Sequence, residues 1–295
     1  MKCMSGAETS NERSDYQIKG EREKMSVTPR TEGVASVIFA AGKGSRVVGY
    51  SGNKTLLPLV PSQSLYEGEH PLLMEVLQCL PPGPRGIVVS HCAEEVLEAT
   101  KESGASYLTQ PETNGTGGAL LAARSFLESV SQDCVLVTMG DVPLIRSQTY
   151  RKLVEELDKN VFGVLAFAPR DKAKYGMLEM EEGRVLRIVE WKYWHAFPSE
   201  RQAALRFCNA GVYAARRAVL LEYISRLARQ PHHVQKQRGD EWITIEEYFL
   251  TDLIEMMSMD HLPIGVILAP EEEVIGVDTP EALTQAQMHY ARFKS

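Results

Sequence analysis

The chain has 295 residues, 44% of them hydrophobic and 24% charged, enough apolar material for a sizeable core in one large domain or two small ones. A net charge of −7 and the lack of any long Lys/Arg run argue against a polynucleotide partner, which needs a basic surface facing phosphates. Five scattered cysteines without a CxxC pair fit free thiols in a reducing cytoplasm, no apolar run approaches the ~20 residues of a membrane span, and the first residues lack the apolar centre of a secretion signal.

Residues 1–33 are polar and aperiodic and read as a disordered tail, with Met25 a candidate initiator. The run VASVIFAA has the continuous apolar character of a strand covered on both faces. GIVVS follows as a second such strand, then AEEVLEATKESG as a helix ended by Gly104. ASYLTQ is a strand, GGALLAARSFLESV a helix, DCVLVTMGD a strand, SQTYRKLVEELDK an amphipathic helix and VFGVLAFAP a strand. This alternation predicts an α/β fold with a mixed, mostly parallel central sheet, and parallel crossovers put the loops after the strands on one edge.

The second half changes rhythm. YGMLEMEEGRVLRIVEWKYW reads as two antiparallel strands around a Glu-Glu-Gly turn, FCNAGVYAA as a strand and RRAVLLEYISRLAR as a helix. QPHHVQKQRGDEW is a polar excursion in which His232 and His233 are loop residues. EEYFLTDLIEMMSMD is a helix, LPIGVILA and EEVIGVD are strands, and TPEALTQAQMHYARFKS is a closing helix with Pro280 in its first turn. The sequence shows no internal repeat and no signal of oligomeric state.

The densest chemistry lies in VIFAAGKGSR. A buried strand delivers small residues and two glycines, Gly42 and Gly44, to the ligand edge, where backbone amides can cradle an anion. Arg46 and Lys54 add fixed positive charge, which suits a nucleoside triphosphate. The pattern is neither GxGxxG nor GxxxxGK[ST], so neither a dinucleotide fold nor a P-loop is supported. Taken alone, the stretch also fits a plain glycine-rich turn, Asp141 a strand-end cap, Asp278 a helix-start residue, Glu190 a solvated charge and Asn209 a turn former.

FAAGKGSRVVGYSGNKTLLPLV resembles the signature loop of the sugar-phosphate nucleotidylyltransferase family, and most closely its N-acetylglucosamine-1-phosphate uridylyltransferase domain. LTQPETNGTGGAL, VTMGDVPLI, KYGMLE with RIVEWK, CNAGVY, EYFLTD and EVIGVD follow in the family's order, from Val34 to the C-terminus. The resemblance implies a Rossmann-like, GT-A-like three-layer sandwich over residues 34–295. It further implies a Mg²⁺-dependent reaction between UTP and a sugar 1-phosphate. Matching positions assign Phe39, Ala40, Ala41, Gly42, Gln110, Gly115, Thr116 and Gly140 to the nucleotide. Arg46 and Lys54 become the catalytic cations, Asp141 and Asp278 the metal ligands, and Gly176, Glu190 and Asn209 the sugar contacts. Lys192 falls beside the product phosphates.

The chain departs from the family at several positions. Asn53 stands where a proline usually precedes the loop lysine, and the spacing from Arg46 to Lys54 is one residue longer. Met139 precedes Gly-Asp, Gly118 follows Gly-Thr-Gly, and Asp278 replaces a common asparagine. No hexapeptide repeat follows the last signature, so the expectation is a chain without the left-handed β-helix, its acetyltransferase activity and its trimer. A dTTP or CTP donor, another acceptor phosphate such as phosphocholine, and a silent nucleotide-sugar-binding module remain as alternatives.

Overall fold

The first apolar run forms β1 (Ala35–Phe39), every residue of it buried. In the computed structural model, which describes residues 33–42, 44, 46–238 and 241–294, β1 is hydrogen-bonded in parallel on both sides. Its two faces are both covered, so its residues need no polar alternation. Val37 and Phe39 enter one core cluster, Ile38 and Ala40 the other. The expected tail, residues 1–33, lies outside the described residues except for Gly33.

A small ribbon follows, β2 (Pro58–Pro61) against β3 (Gly68–Pro71), and then the helix Leu72–Cys79. Next come β4 (Arg85–Val89), the helix Ala93–Thr100 and β5 (Ser106–Thr109). The helices Thr116–Ala122 and Arg124–Ser129 lead into β6 (Cys134–Met139). The helix Ser147–Glu155 connects to β7 (Phe162–Phe167), followed by the hairpin β8 (Met177–Glu181) and β9 (Arg184–Val189). Short helices Trp191–Trp194 and Ser199–Ala204 precede β10 (Cys208–Arg216) and the helix Arg217–Leu227. A second ribbon, β11 (His232–Arg238) and β12 (Glu241–Glu247), is followed by the helix Asp252–Met259, β13 (Ile264–Leu268) and the helix Pro280–Lys294.

The central sheet runs β13-β7-β10-β6-β1-β4-β5, with β8 and β9 attached through β10. Only the two pairs made by β10 with β6 and β7 are antiparallel along that path. The others are parallel, so the sheet is mixed and mostly parallel. Helices cover both faces. Leu120, Leu127, Ile224 and Leu253 pack on one, and Leu73, Val76, Tyr150 and Leu153 on the other. Leu283 and Tyr290 of the last helix join a third cluster with Val47 and with Leu57 and Leu59 beside the small ribbon.

Four local expectations are corrected. The polar excursion is the ribbon β11–β12, because Val234 and the run Trp242–Ile245 supply strand-forming residues to its two strands. WKYW is a helical turn, its Tyr193 and Trp194 N–H groups donating to the Glu190 carbonyl. The helix after EEYF starts only at Asp252, since Glu246 and Glu247 complete β12. EEVIGVD is not a strand: Glu271–Glu273 form a 3-10 turn, and the Val277 N–H goes to the Asp141 carbonyl at 2.8 Å.

Leu136 sits in the middle of β6, fully buried between β1 and β10. Leu136→Ala is expected to lower unfolding free energy by about 2–5 kcal/mol, read as a lower urea midpoint with an unchanged slope.

Candidate active site

β1, β4, β5 and β6 run in the same direction, so the segments after Phe39, Val89, Thr109 and Met139 leave from one edge. The segments after Phe39, Thr109 and Met139 line a cavity of about 590 Å³ there, joined by Glu247 and Asp278. Phe39, Ala41, Gly42, Arg46, Lys54, Gln110, Gly115, Thr116, Asp141 and Asp278 all line it. Ala40 and Gly140 lie behind its wall. Ala40 is buried with its N–H on the Val88 carbonyl, and the Gly140 N–H donates to the Phe39 carbonyl at 2.9 Å.

Lys54 opens a 3-10 turn, Lys54–Leu56, capped by the side chain of Asn53. Its stem lies along the glycine-rich loop. A Cβ on Gly44, whose φ is +62°, would start 3.0 Å from Lys54 Cβ, so both the backbone angle and the lysine demand glycine there. The ammonium of Lys54 pairs with Asp141, and Arg46 pairs with Asp278 at 2.6 Å. The two pairs differ in shelter. The side chains of Lys54 and Asp141 are 15% and 17% exposed, those of Arg46 and Asp278 71% and 32%, so solvent screens the second pair far more. The Val277–Asp141 backbone bond brings the two aspartates to the same side of the cavity.

Gln110 is buried, and its Nε2 donates to Asn114 Oδ1 at 3.0 Å and to the Gly115 carbonyl at 3.3 Å. A backbone carbonyl can only accept, so the amide nitrogen faces inward, and Oε1 has no protein partner among the described residues. Gly115, at φ +96°, begins the helix Thr116–Ala122. A Cβ there would press on the Tyr248 carbonyl, which accepts the Gly117 N–H at 2.8 Å. The Leu250 N–H in turn donates to the Thr116 hydroxyl at 3.2 Å. Gly118 has a local reason too, since a side chain there would meet the amides of Asn114 and Gln110.

Gly176, Glu190 and Asn209 are brought together beside this cavity rather than in its wall. The Asn209 N–H donates to the Gly176 carbonyl at 2.9 Å, and a Cβ on Gly176 would lie 3.4 Å from a Glu190 carboxylate oxygen. β10 shifts register between Asn209 and Tyr213, and Gly211 in that irregularity packs on Met139 of the cavity. Glu190 lines a second cavity of about 400 Å³ with Lys192, Tyr193, His232, Phe249 and Thr251. Lys192 lies over the rings of Tyr193 and Phe249, and His232 bonds Asp252 at 2.7 Å. The segment Glu247–Thr251 separates the two cavities, Glu247 facing the first and Phe249 and Thr251 the second.

The sequence profile of the MobA-like NTP transferase domain matches residues 36–236. The chain belongs to the MobA-like NTP transferase family. It is 31% identical over 255 residues to the bifunctional protein GlmU of Ruegeria sp. (strain TM1040), covering 86% of this chain and 52% of that protein. The GlmU of Pseudomonas entomophila (strain L48) is 31% identical over 260 residues, covering 86% and 51%. The chain thus spans about half the length of the curated relatives it matches. Two solved structures share the fold. A putative glucose-1-phosphate thymidylyltransferase from Bacillus anthracis superposes with TM-score 0.61 at 19% identity, covering 87% of this chain and 94% of that one. The uridine diphosphate N-acetylglucosamine pyrophosphorylase of Trypanosoma brucei gives 0.65 at 14% identity, covering 86% and 64%.

Sequence reasoning missed several residues of this NTP transferase. Thr55, Thr113 and Glu247 line the first cavity, and Thr251 donates to Glu190 Oε1 at 3.4 Å. Thr251 lies inside the quoted EYFLTD signature, from which no residue was drawn. Glu247 is the first residue of the same signature, and its place at the cavity follows from the end of β12.

Burial pushes the Glu190 carboxyl above its ordinary range, with the Thr251 hydroxyl and Lys192 opposing it in part. The folded chain therefore holds that proton more tightly than the unfolded chain. This contribution to stability is complete below the ordinary carboxyl value and is lost as pH rises through the folded one. Glu190→Gln removes the dependence. Its melting temperature, relative to wild type, is expected to be higher at about pH 7, with the gap closing towards about pH 4. A gap that does not change with pH refutes the burial cost.

Proposed function

We propose that this NTP transferase joins UTP to a sugar 1-phosphate, most readily N-acetylglucosamine 1-phosphate, and releases pyrophosphate. The observation that carries the reading is one cavity in which two cations, each paired with an aspartate, and an amide with a free oxygen face a common space, with Glu247 as a third carboxylate in the lining. The GlmU relatives and the trypanosomal pyrophosphorylase fold agree with it.

In the reaction an oxygen of the sugar phosphate attacks the α-phosphorus of UTP in line. The bond from that phosphorus to the bridging oxygen breaks, and pyrophosphate leaves with its electron pair. Such chemistry rests on positioning and charge neutralisation. Arg46 and Lys54 neutralise the triphosphate and the leaving pyrophosphate. In the free chain each is held by an aspartate at the cavity, so the polyphosphate competes for cations already in place. The uracil N3–H donates to Gln110 Oε1. Thymine presents the same donor, whereas cytosine presents an acceptor and is disfavoured. Phe39, Ala40, Ala41, Gly42, Gly115, Thr116 and Gly140 shape the nucleotide wall. Glu190 accepts from sugar hydroxyls, with Gly176 and Asn209 beside it and Lys192 close to the product phosphates.

Asp141 and Asp278 fit Mg²⁺. They offer hard oxygen donors on one side of the cavity, and no cluster of three or more His, Cys, Asp or Glu that could hold a metal occurs among the described residues. Mg²⁺ takes one or two carboxylates and completes its shell with water and phosphate oxygens. When bound it supplies charge neutralisation at the phosphates.

Pyrophosphate release is measured with N-acetylglucosamine 1-phosphate and UTP, dTTP, CTP, ATP or GTP, with and without a chelator. Release with UTP that stops on chelation is the expected result; no release with any pair from folded protein overturns the reading. Asp141→Ala and Asp278→Ala are each expected to lower turnover on the order of 10²-fold or more. Gln110→Ala is expected to narrow the preference for UTP over CTP on the order of tenfold.

A further inference from the structure

Asn53 is a fully buried polar side chain with every bonding group in use. Its Nδ2 donates to the Ala40 carbonyl at 2.8 Å, just past β1, and to the His91 carbonyl at 3.0 Å, just past β4. Its Oδ1 accepts from the Thr55 N–H at 3.0 Å and the Thr55 hydroxyl at 2.8 Å. One amide therefore joins the ends of two central strands to the turn that begins with Lys54.

The joint sits where the chain most needs one. Between Ala41 and Asn53 the loop has a single fully buried apolar anchor among the described residues, Val47. Lys54 emerges directly after it, with its stem along Gly42 and Gly44 and its ammonium on Asp141, which follows β6. A lysine has four rotatable bonds, so the placement of its Cα decides what the ammonium can reach. Asn53 has φ −73°, inside the range that a proline ring enforces. Hydrogen bonds here hold an angle that a ring would otherwise fix, and they also tether it to the sheet.

Resting on the proposed triphosphate chemistry, we infer that Asn53 is a positioning residue that sets Lys54 against the polyphosphate by tying the glycine-rich loop to the ends of β1 and β4. A residue that only stabilised the fold would lower melting temperature and leave the lysine's contribution intact. A positioning residue loses its effect once the lysine is gone.

The test is a double-mutant cycle of Asn53→Ala and Lys54→Ala, with melting temperatures recorded for each chain. Expected is a fall in kcat/KM for UTP on the order of 10²-fold for Asn53→Ala, the scale of an ångström-sized misplacement. The double variant should match Lys54→Ala alone, as coupled residues do. Asn53→Ala at wild-type kcat/KM, or an undiminished further loss on the Lys54→Ala background, overturns the inference. Asn53→Asp keeps the shape and the cap to Thr55 and replaces the two N–H donors with an acceptor oxygen that carries charge, so it decides if Asn53→Ala does not fold. Failure of both to fold overturns it as well, since Asn53 would then hold the fold and not the lysine. A wild-type chain without turnover counts against the proposed reaction, and the cycle is then read from calorimetric binding of inorganic tripolyphosphate. Affinity lost in Asn53→Ala, with none further in the double variant, supports the inference; unchanged affinity overturns it.

Discussion

The parallel hydrogen bonding of β1 to both β4 and β6 sends three chain segments off the same edge of the sheet within two strand widths. The meeting of the glycine-rich loop, Asn53 and Asp141 at the first cavity depends on it. The glycine-rich loop leaves β1, the carbonyl that anchors Asn53 follows β4, and Asp141 follows β6. β5 extends the same edge and brings Gln110. Antiparallel pairing at any of these positions would send a loop to the opposite edge. The long antiparallel strand β10 runs the other way and starts at this edge, so Asn209 near its beginning lies close to the cavity.

Charge in the cavity is arranged before any ligand arrives. Two cations lie against two carboxylates inside a chain of net charge −7, so the charges of the site are paired within the fold. The unequal shelter of the pairs matters. Lys54 and Asp141 face each other where water is scarce, and an ion pair there is felt more strongly and located more narrowly than one on the rim. Arg46, largely in solvent, is held less narrowly.

The layered α/β architecture was legible because buried parallel strands write unbroken apolar runs, and VASVIFAA, GIVVS and VFGVLAFAP each became one. The cavity residues were legible from ordered motifs, and ten of them line a single cavity. The misses share a cause: a local pattern was outweighed by a distant partner. EEVIGVD has strand composition, yet its one shown ladder-like bond goes to Asp141, so it runs as an irregular wall. EEYF has helical composition, yet pairing of Glu247 with His232 extends the strand. Asn53 looked like a defect in the loop because its value lies in carbonyls 13 and 38 residues away. Gly176, Glu190 and Asn209 stand together, but a neighbouring cavity rather than the first one receives Glu190.

The segment Glu247–Thr251 divides the two cavities with different parts of itself. Towards the first, past the Glu247 side chain at its start, it offers backbone, the Tyr248 carbonyl to Gly117 and the Leu250 N–H to Thr116. Towards the second it offers side chains, the Phe249 ring and the Thr251 hydroxyl. Backbone groups are the same whatever residue carries them. Evolution can therefore rewrite positions 249 and 251, and with them the size and polarity of the second cavity, while the loop at the first cavity keeps its hydrogen bonds. A partition built this way lets one scaffold diversify what it accepts on one side without renegotiating what it holds on the other.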